Sequence, residues 1–262
     1  MRPIIFCTDY GLGDEFVGVC HGVMQRIAPG VPVIDLTHAI ARQDVLQGAL
    51  VLGRAAAYMP ADAVYVGVVD PGVGGERAEI AVESGSGAFL VGPDNGLLSM
   101  AWSALGGAAR AVSIVSPTVM LRPVSRTFHG RDVFAPAGAH LANGVVLEEL
   151  GPPLEVEVLA TLELPGPMVA PGKIGARVMG VDGFGNVQLN LGPAELDHAG
   201  LGEGLVIAGR PAPLVGVFSD VLEQAMATII DSQGFLAVVV NQGSAAAVLG
   251  LRPGATVMVE GS

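Results

Sequence analysis

Short apolar runs alternate with amphipathic segments over the first half of the chain. Residues 4–8 and 63–69 are dominated by apolar side chains, which predicts buried strands. Residues 16–27 place apolar side chains at helical spacing, and residues 44–60 predict a second helix with Asp44 as its N-cap. Because alternating strands and helices are typical of a helix-covered parallel sheet, we expect an α/β N-terminal domain with a mostly parallel sheet and flanking helices.

The composition and the hydrophobic pattern of the sequence change near residue 151. Residues 151–173 are rich in Pro and Gly and show no helical stripe, and the rest consists of apolar runs separated by turn residues. Such runs predict an all-β C-terminal domain, here a barrel. The predicted organisation is an α/β domain over residues 1–155, a linker over 156–171 and a β-barrel domain over 172–262.

Composition and charge exclude several classes of function. The chain is 51% hydrophobic and 15% charged, which excludes a disordered protein. Its net charge is −12, and no basic patch is visible, so we expect neither a nucleic-acid partner nor docking on an anionic membrane. An acidic protein remains compatible with a cationic small-molecule substrate.

Two cysteines and the N-terminal sequence bear on the cellular compartment. Cys7 and Cys20 lie in apolar surroundings without metal-ligand spacing, which favours buried free thiols. The chain starts without a charged-then-apolar leader and has no apolar run of about 18 residues. We therefore expect a cytoplasmic protein.

Polar residues follow the predicted strands of the first half, where ligands bind in open α/β sheets. Asp9 could accept hydrogen bonds from a ribose diol, or it could cap the following helix. Asp70 precedes a glycine-rich turn that ends in Arg77, and the pair could be functional or a structural salt bridge. His129 precedes a predicted helix, but a single histidine is more often structural than catalytic. The string GVGGER lacks the Lys-Ser/Thr of a phosphate-binding loop.

Polar islands also interrupt the strands of the second half. They include Asp182 to Asn186, Asp231 to Gly234, and Asn241 to Ser244. Residues of these types favour turns, so each island taken alone is adequately explained as a turn.

The order of these motifs along the chain is specific. The chain resembles the S-adenosyl-L-methionine (SAM) hydroxide adenosyltransferase family, which comprises SAM hydrolases related to the bacterial fluorinase and chlorinase. In chain order the motifs are TDYGLGDEFVG, DLTH, VVDPGVGGER, VGPDNGLL, FHGRDVFAP, VDGFGNVQLN, FSDV, DSQG and NQGSAA. The resemblance implies an α/β domain, a β-barrel domain, and hydrolysis of SAM to adenosine and L-methionine. It also implies a homotrimer whose active sites lie between neighbouring subunits, with no cofactor and no metal.

Residue roles follow from the resemblance by motif match. An Asp–Arg–His triad is implied at Asp70, Arg77 and His129, which would be the catalytic residues. The substrate-binding residues implied are Asp9 at the ribose, Asn186 and Phe218 at the adenine, Asp182 and Ser232 at the methionine part, and Gln242 as a further candidate.

Two positions depart from the pattern of the halogenating relatives or leave the branch open. Gln233 stands where those relatives carry Arg beside the serine of the methionine site, so the substrate carboxylate would be held less strongly there or from elsewhere. Gly130 follows His129, and a glycine at that position resembles the chlorinase as well. The complete Asp–Arg–His set favours water over halide.

The implied chemistry is plausible from first principles. The substrate is a sulfonium cation whose leaving group is a neutral thioether, so neither a general acid nor a metal is required. Asp70 is a poor base, because the reference pKa of Asp is about 3.9. We therefore expect Asp70 and Arg77 to orient water, and His129 to accept a proton if one is transferred.

Three alternatives remain open from the sequence. A SAM-dependent halogenase of the same fold would use chloride in place of water. A nucleoside hydrolase is suggested by CTDYGLGDE, but Cys7 stands where a further calcium-binding Asp is expected. A non-catalytic adenosine- or SAM-binding protein would leave its ligand intact, and the complete triad argues against it.

Overall fold

The computed structural model describes all residues from 1 to 262. The chain divides into two compact units, residues 1–162 and residues 163–262. The division falls within the stretch 156–171 that was predicted as a linker. No helix is long and apolar enough to cross a membrane. The predicted cytoplasmic location stays a prediction.

A mixed sheet of seven strands forms the centre of unit 1. The order of strands is β2-β1-β3-β5-β4-β6-β7. The pairs within β2-β1-β3-β5 are parallel, whereas β4 pairs antiparallel with both β5 and β6, and β7 pairs antiparallel with β6. The strands are β1 (Ile4–Thr8), β2 (Val33–Thr37), β3 (Val64–Val68), β4 (Glu79–Ser84), β5 (Phe89–Pro93), β6 (Ala108–Ser113) and β7 (Pro153–Leu154).

The expectation of a mostly parallel sheet therefore needs correction. The physical reason is the β4–β5 hairpin, whose short turn over residues 85–88 reverses the chain, after which β6 and β7 extend the antiparallel half. The parallel half matches the predicted alternation of strands and helices.

Helices cover both faces of this sheet. Alternate side chains of each buried strand point to opposite faces: Ile4 and Phe6 join one core with α1 and α4, and Ile5 and Cys7 join the other with α2 and α3. The predicted cap of α2 is confirmed, because the Asp44 carboxylate accepts a hydrogen bond from the Gln47 amide at 2.9 Å. The helices are α1 (Phe16–Ile27), α2 (Val45–Ala56), α3 (Ser99–Ala104) and α4 (Ala135–Ala142), the last preceded by a π-helical turn over Gly130–Phe134.

Unit 2 is an eight-stranded antiparallel sheet that is nearly barrel-shaped. The main path runs β12-β11-β15-β9-β10-β14-β13, and β8 pairs with β9. The two ends of this path approach each other, because the Thr228 amide of β13 donates to the Pro213 carbonyl and the Val215 amide donates to the Thr228 carbonyl, each at 2.9 Å. The strands are β8 (Met168–Ala170), β9 (Lys173–Val181), β10 (Val187–Leu189), β11 (Leu205–Ile207), β12 (Arg210–Pro211), β13 (Met226–Ile230), β14 (Leu236–Val240) and β15 (Thr256–Gly261).

Two short helices correct the all-β expectation for unit 2. They are α5 (Pro193–Ala199) and α6 (Ala245–Leu249). Leu196 and Ala199 of α5 and Ala245 of α6 are buried in the same apolar core as the strands. The helices therefore contribute to the core of the sheet and do not form a separate layer.

Candidate functional site

Neighbouring parallel strands bring two predicted site residues to one edge of the unit 1 sheet. β1 and β3 pair in register from Ile4 opposite Val64 to Thr8 opposite Val68. Asp9 directly follows β1, and Asp70 comes two residues after the end of β3. A pocket of about 420 Å³ opens at this edge. Its lining includes Asp9, Tyr10, Phe16, Gln43, Asp70, Phe128, His129 and Gly130.

Arg77 holds the Asp70 carboxylate in a fork of hydrogen bonds. Arg77 Nε donates to Asp70 Oδ1 at 3.0 Å, and Arg77 Nη2 donates to Asp70 Oδ2 at 2.5 Å. The Arg77 and Asp70 side chains are only 9% and 5% exposed. The loop between them turns at Gly74, which has φ +72° and where a Cβ atom would lie 2.2 Å from the Arg126 carbonyl oxygen. Only glycine fits at this position, so the loop that brings Arg77 back to Asp70 depends on Gly74.

The same guanidinium joins His129 and Glu79 to the pair. Arg77 Nη2 lies 2.9 Å from His129 Nδ1, and Arg77 Nη1 donates to Glu79 Oε1 at 2.7 Å. Glu79 Oε1 also lies 3.0 Å from His129 Nδ1. The structure thus brings Asp70, Arg77 and His129 together and adds Glu79, which sequence reasoning missed.

These contacts keep Arg77 protonated. Burial by itself lowers the pKa of Arg77, but hydrogen bonds and charge interactions with Asp70 and Glu79 outweigh it and raise the pKa above its usual value. Arg77 is therefore a permanent cation between two carboxylates, and only its position can vary during a reaction.

Aromatic rings form one side of the pocket. The rings of Tyr10, Phe16 and Phe128 meet edge to face at centroid distances of 5.2–5.9 Å. Burial, then the nearby Cys20, Asp9 and Asp70, raise the pKa of Tyr10 well above its usual value, so its phenol stays protonated. A Cβ atom at Gly130 would lie 1.8 Å from the Tyr10 hydroxyl oxygen. The absence of a side chain at Gly130 is therefore what leaves room for the Tyr10 hydroxyl.

Asp9 lies in the same pocket and is anchored on one side. Its Oδ2 accepts a hydrogen bond from the Gln43 amide at 2.9 Å. Gln43 has a left-handed backbone with φ +63°, which is uncommon for a residue with a side chain. This contact holds one oxygen of the Asp9 carboxylate in place.

Unit 2 carries a second pocket with three of the predicted substrate-binding residues. Its volume is about 530 Å³, and Asn186, Phe218 and Gln242 line it together with Phe184. The Phe184 and Phe218 side chains are 82% and 43% exposed, which gives this pocket an apolar rim. A planar aromatic ligand could be held between such rings and the amides of the lining.

Asp182 and Ser232 do not line this pocket. The Asp182 carboxylate organises the turn after β9, because it accepts hydrogen bonds from the Phe184 and Asn186 amides and from the Asn186 side chain at 2.8–2.9 Å. Ser232 is exposed on the turn between β13 and β14, where Asp231 accepts the hydrogen bonds that shape the turn. The structure brings Asp182 next to the pocket through Asn186 and leaves Ser232 apart from it.

The two cysteines are free and buried, as predicted. Burial, followed by the charge of Asp9, raises the pKa of Cys7 to about 12. Burial also raises the pKa of Cys20 to about 12, partly offset by Arg131. Neither thiol is available as a nucleophile near neutral pH.

Comparison with known proteins adds a family assignment to this geometry. Residues 4–151 match the model of the SAM hydroxide adenosyltransferase N-terminal domain, and residues 176–258 match that of the C-terminal domain. The two matches, with the two compact units of the fold, define a two-domain protein of this class. The chain belongs to the SAM hydroxide adenosyltransferase family.

Individual relatives agree with this assignment. The chain is 49% identical to an "(R)-S-adenosyl-L-methionine hydrolase" of Salinispora arenicola, over 96% of this chain and 95% of the relative. It is 41% identical to a protein of that name from Thermus thermophilus, over 97% and 98%. A fluorinase of Nocardia brasiliensis is 29% identical over 99% and 97%. An uncharacterised conserved protein of Thermotoga maritima superposes with a TM-score of 0.89 at 33% identity, covering 98% of this chain and 99% of that one.

Proposed function

We propose that this protein hydrolyses S-adenosyl-L-methionine to adenosine and L-methionine. The observation that carries the proposal is the joining of Asp70, Arg77 and His129 in one pocket of unit 1, in a chain that belongs to the SAM hydroxide adenosyltransferase family. Relatives at 41–49% identity bear the name (R)-S-adenosyl-L-methionine hydrolase, so we propose the epimer with the R configuration at sulfur as the preferred substrate.

The reaction is a displacement at the C5′ carbon of the ribose. A water oxygen forms a bond to C5′ while the bond from C5′ to sulfur breaks, and the electron pair of that bond leaves with methionine as a neutral thioether. The proton lost by the water passes to a base or to solvent. The thioether leaves without being protonated. The task of the protein is therefore to position a water molecule and to activate it as a nucleophile, because the pKa of bulk water is about 15.7.

Asp70 supplies the fixed acceptor for this water. Both of its oxygens accept from Arg77, which keeps the carboxylate in place without protonating it. Its acceptor lone pairs that do not face Arg77 can receive a hydrogen from water at the pocket edge. Well-aligned attack of this kind contributes up to about 7–11 kcal/mol to the lowering of a barrier.

His129 has two possible roles, and its tautomer decides between them. If Nδ1 accepts from Arg77, then Nε2 carries the hydrogen and can only donate. If Nδ1 carries the hydrogen and donates to Glu79, then Nε2 has a free lone pair and can accept the proton of the attacking water. The hydrogen bond between Arg77 Nη2 and Nδ1 at 2.9 Å favours the first arrangement, because a guanidinium can only donate. We therefore assign His129 the role of a donor that orients the attacking water through Nε2, and Glu79 the role of a positioning residue that holds Arg77 through Nη1.

Substrate binding is divided between the two pockets. In the unit 1 pocket, Asp9 Oδ1 would accept from the ribose hydroxyls. In the unit 2 pocket, Asn186 would bind the adenine, Phe218 would stack on it, and Gln242 would contribute an amide. Asp182 and Ser232 are proposed for the methionine part on the resemblance alone, and for Asp182 this would require a change in the turn hydrogen bonds that now occupy its carboxylate.

The division of the predicted residues between two pockets supports an assembly. We propose a homotrimer in which the unit 1 pocket of one subunit and the unit 2 pocket of its neighbour form each active site. Phe184 and Phe218, which are 82% and 43% exposed, line the same pocket of unit 2, and a contiguous exposed apolar surface is typical of a site that a partner covers. Sedimentation of the purified protein measures the number of subunits, and a monomer that is fully active would contradict this part of the proposal.

An isotope experiment tests the reaction. The protein is incubated with SAM in water enriched in ¹⁸O, with and without chloride, and the products are separated and weighed by mass spectrometry. Attack at C5′ predicts one ¹⁸O in adenosine and none in methionine, at a rate independent of chloride. A chlorinated adenosine would indicate the halogenase, and recovery of intact substrate would indicate a binding protein. Asp70→Asn serves as the inactive control.

A further inference from the structure

Three side chains converge in unit 1 outside the pocket described above. His21 lies on α1, Asp35 lies on β2, and His38 directly follows β2. The Nε2 atoms of His21 and His38 lie 2.8 Å and 3.1 Å from the same oxygen, Asp35 Oδ1. The three facing ligand atoms all lie within 4.8 Å of one another. Two imidazoles and a carboxylate therefore share one small space.

The Nε2 atom of His38 lacks a hydrogen bond. The His38 side chain is only 3% exposed, and its Nδ1 is paired with the Thr8 hydroxyl at 2.9 Å. Its Nε2 is buried and makes no hydrogen bond, although Asp35 Oδ1 is 3.1 Å away. Buried polar atoms are almost always satisfied, so a nitrogen left in this state beside a carboxylate points to an absent cationic partner.

We propose that His21, Asp35 and His38 bind a divalent transition-metal ion of the zinc class. Imidazole nitrogen and carboxylate oxygen are the donors that such ions take, at about 2.0–2.2 Å. Tetrahedral ligands at this distance lie about 3.3 Å apart. The two imidazole nitrogens lie 2.8 Å and 3.1 Å from Asp35 Oδ1, close to that separation. Those two side chains are 43% and 30% exposed, which leaves room for a water molecule as the fourth ligand.

The surroundings hold the two imidazoles in place for this role. The ring of Phe6 contacts both, edge to face, at centroid distances of 5.9 Å for His21 and 4.9 Å for His38. An ion on His38 Nε2 requires the hydrogen on Nδ1, from where it is donated to Thr8 Oγ1. Partners of this kind on the second ring nitrogen are a regular feature of histidine metal ligands.

Two hydrogen bonds link the proposed metal site to the segment after β1, which contributes Asp9 and Tyr10 to the unit 1 pocket. Thr8 Oγ1 accepts a hydrogen bond from the Tyr10 amide at 3.2 Å, and the His38 carbonyl accepts one from the Gly11 amide at 2.7 Å. The bound ion would fasten α1, β2 and the segment after β1 to one another. We therefore expect it to stabilise unit 1 and to take no part in the displacement at C5′.

Metal titration tests this proposal. Tag-free protein is treated with a chelator, dialysed, and titrated with Zn²⁺ by calorimetry and with Co²⁺ by visible absorption. We expect one ion per chain, and a rise of about 5 °C in Tm when Zn²⁺ is about 100 times its dissociation constant. His21→Asn and Asp35→Asn should each weaken binding at least tenfold. Both side chains are partly exposed, so these variants are preferable to a change at the buried His38.

The matched control is His198→Asn, which removes an exposed histidine of unit 2 and should bind the ion unchanged. Absence of one-to-one binding by the unaltered chain would overturn the proposal and leave a His–Asp–His group that shares protons. Equal affinity in the two ligand variants and the control would overturn it as well, since the ion would then bind elsewhere.

Discussion

Glu79 Oε1 lies 3.0 Å from His129 Nδ1, while the same oxygen accepts a hydrogen bond from Arg77 Nη1 at 2.7 Å. The carboxylate therefore links the permanent cation of the site to its only imidazole. Arg77 Nη2 donates to Nδ1 at 2.9 Å, so the ring hydrogen lies on Nε2. The position of His129 thus depends on Arg77, which Glu79 holds through Nη1.

The first prediction concerns Glu79→Gln. Loss of the negative charge weakens the hydrogen bond that Glu79 accepts from Arg77 Nη1. Arg77 then holds Asp70 and His129 less firmly, so kcat should fall by about tenfold with little change in KM. The rate of adenosine release over a range of SAM concentrations measures both parameters.

Glu83→Gln is the control for this change. Glu83 lies on the same strand and is also paired with an arginine, Arg110, away from the pocket. It should leave kcat and KM unchanged. A Glu79→Gln variant with unchanged kcat would contradict the assigned role.

The second prediction concerns the ion pair of Asp70 and Arg77. Arg77→Met leaves Asp70 and Glu79 as neighbouring carboxylates without their cation, and should lower the free energy of unfolding by about 3–5 kcal/mol. Asp70→Asn keeps Arg77 paired with Glu79, and should cost only about 1–2 kcal/mol. Urea unfolding of the two variants measures the difference. Equal losses would mean that Glu79 does not compensate for Asp70.

Both substitutions should abolish activity despite this difference in stability. Arg77→Lys tests the geometry of the fork, since a lysine ammonium keeps the charge but lacks the planar pair of parallel donors that meets both carboxylate oxygens. We expect a stable protein with low turnover. Near-normal turnover in Arg77→Lys would show that charge alone is sufficient.

The third prediction concerns the thiols. With pKa values of about 12 for Cys7 and Cys20, only about one thiol in 10⁴ is ionised at pH 8, against roughly a quarter of an ordinary cysteine. A disulfide reagent should therefore release almost no colour from the native protein and two equivalents after denaturation. Rapid release of one equivalent from the native state would contradict the burial of that cysteine.

Some of the site could be predicted from the sequence, and the reasons are physical. Asp9 and Asp70 follow apolar runs that were predicted as strands of one sheet, where ligands bind beyond the carboxyl ends of strands. The ordered motifs singled out Arg77 and His129. Glu79 was missed because it lies within β4, where a polar residue at the end of a strand carries no signal of its own. Contacts between its carboxylate and a residue fifty positions later depend on tertiary folding.

Helix α5 has boundary residues in the sequence that the all-β prediction for the C-terminal domain did not use. Pro193 at the first turn of α5 and the left-handed Gly200 at its end are ordinary helix boundaries, but they stand among β-type runs. By contrast, the meeting of His21, Asp35 and His38 brings α1 beside β2. Such a meeting is determined by packing and could not be obtained from residue spacing.

The last prediction concerns the space between Gly130 and Tyr10. A Cβ atom at Gly130 would lie 1.8 Å from the Tyr10 hydroxyl oxygen and 3.0 Å from the ring carbon that carries it. Gly130→Ala should therefore force the phenol to move within the pocket. We expect a fall of about tenfold or more in kcat/KM, with little change in Tm because the displaced atom is at the end of a side chain.

A double-mutant cycle separates this clash from other effects of the added methyl group. Tyr10→Phe removes the hydroxyl, so adding Gly130→Ala to it meets its closest ring atom at 3.0 Å and requires a much smaller shift. The alanine should then cost less activity in the Tyr10→Phe background than in the unaltered protein, which is the non-additivity expected of residues in contact. Equal costs in both backgrounds would mean that the glycine is needed for the π-helical turn over Gly130–Phe134 itself, and not for the position of Tyr10.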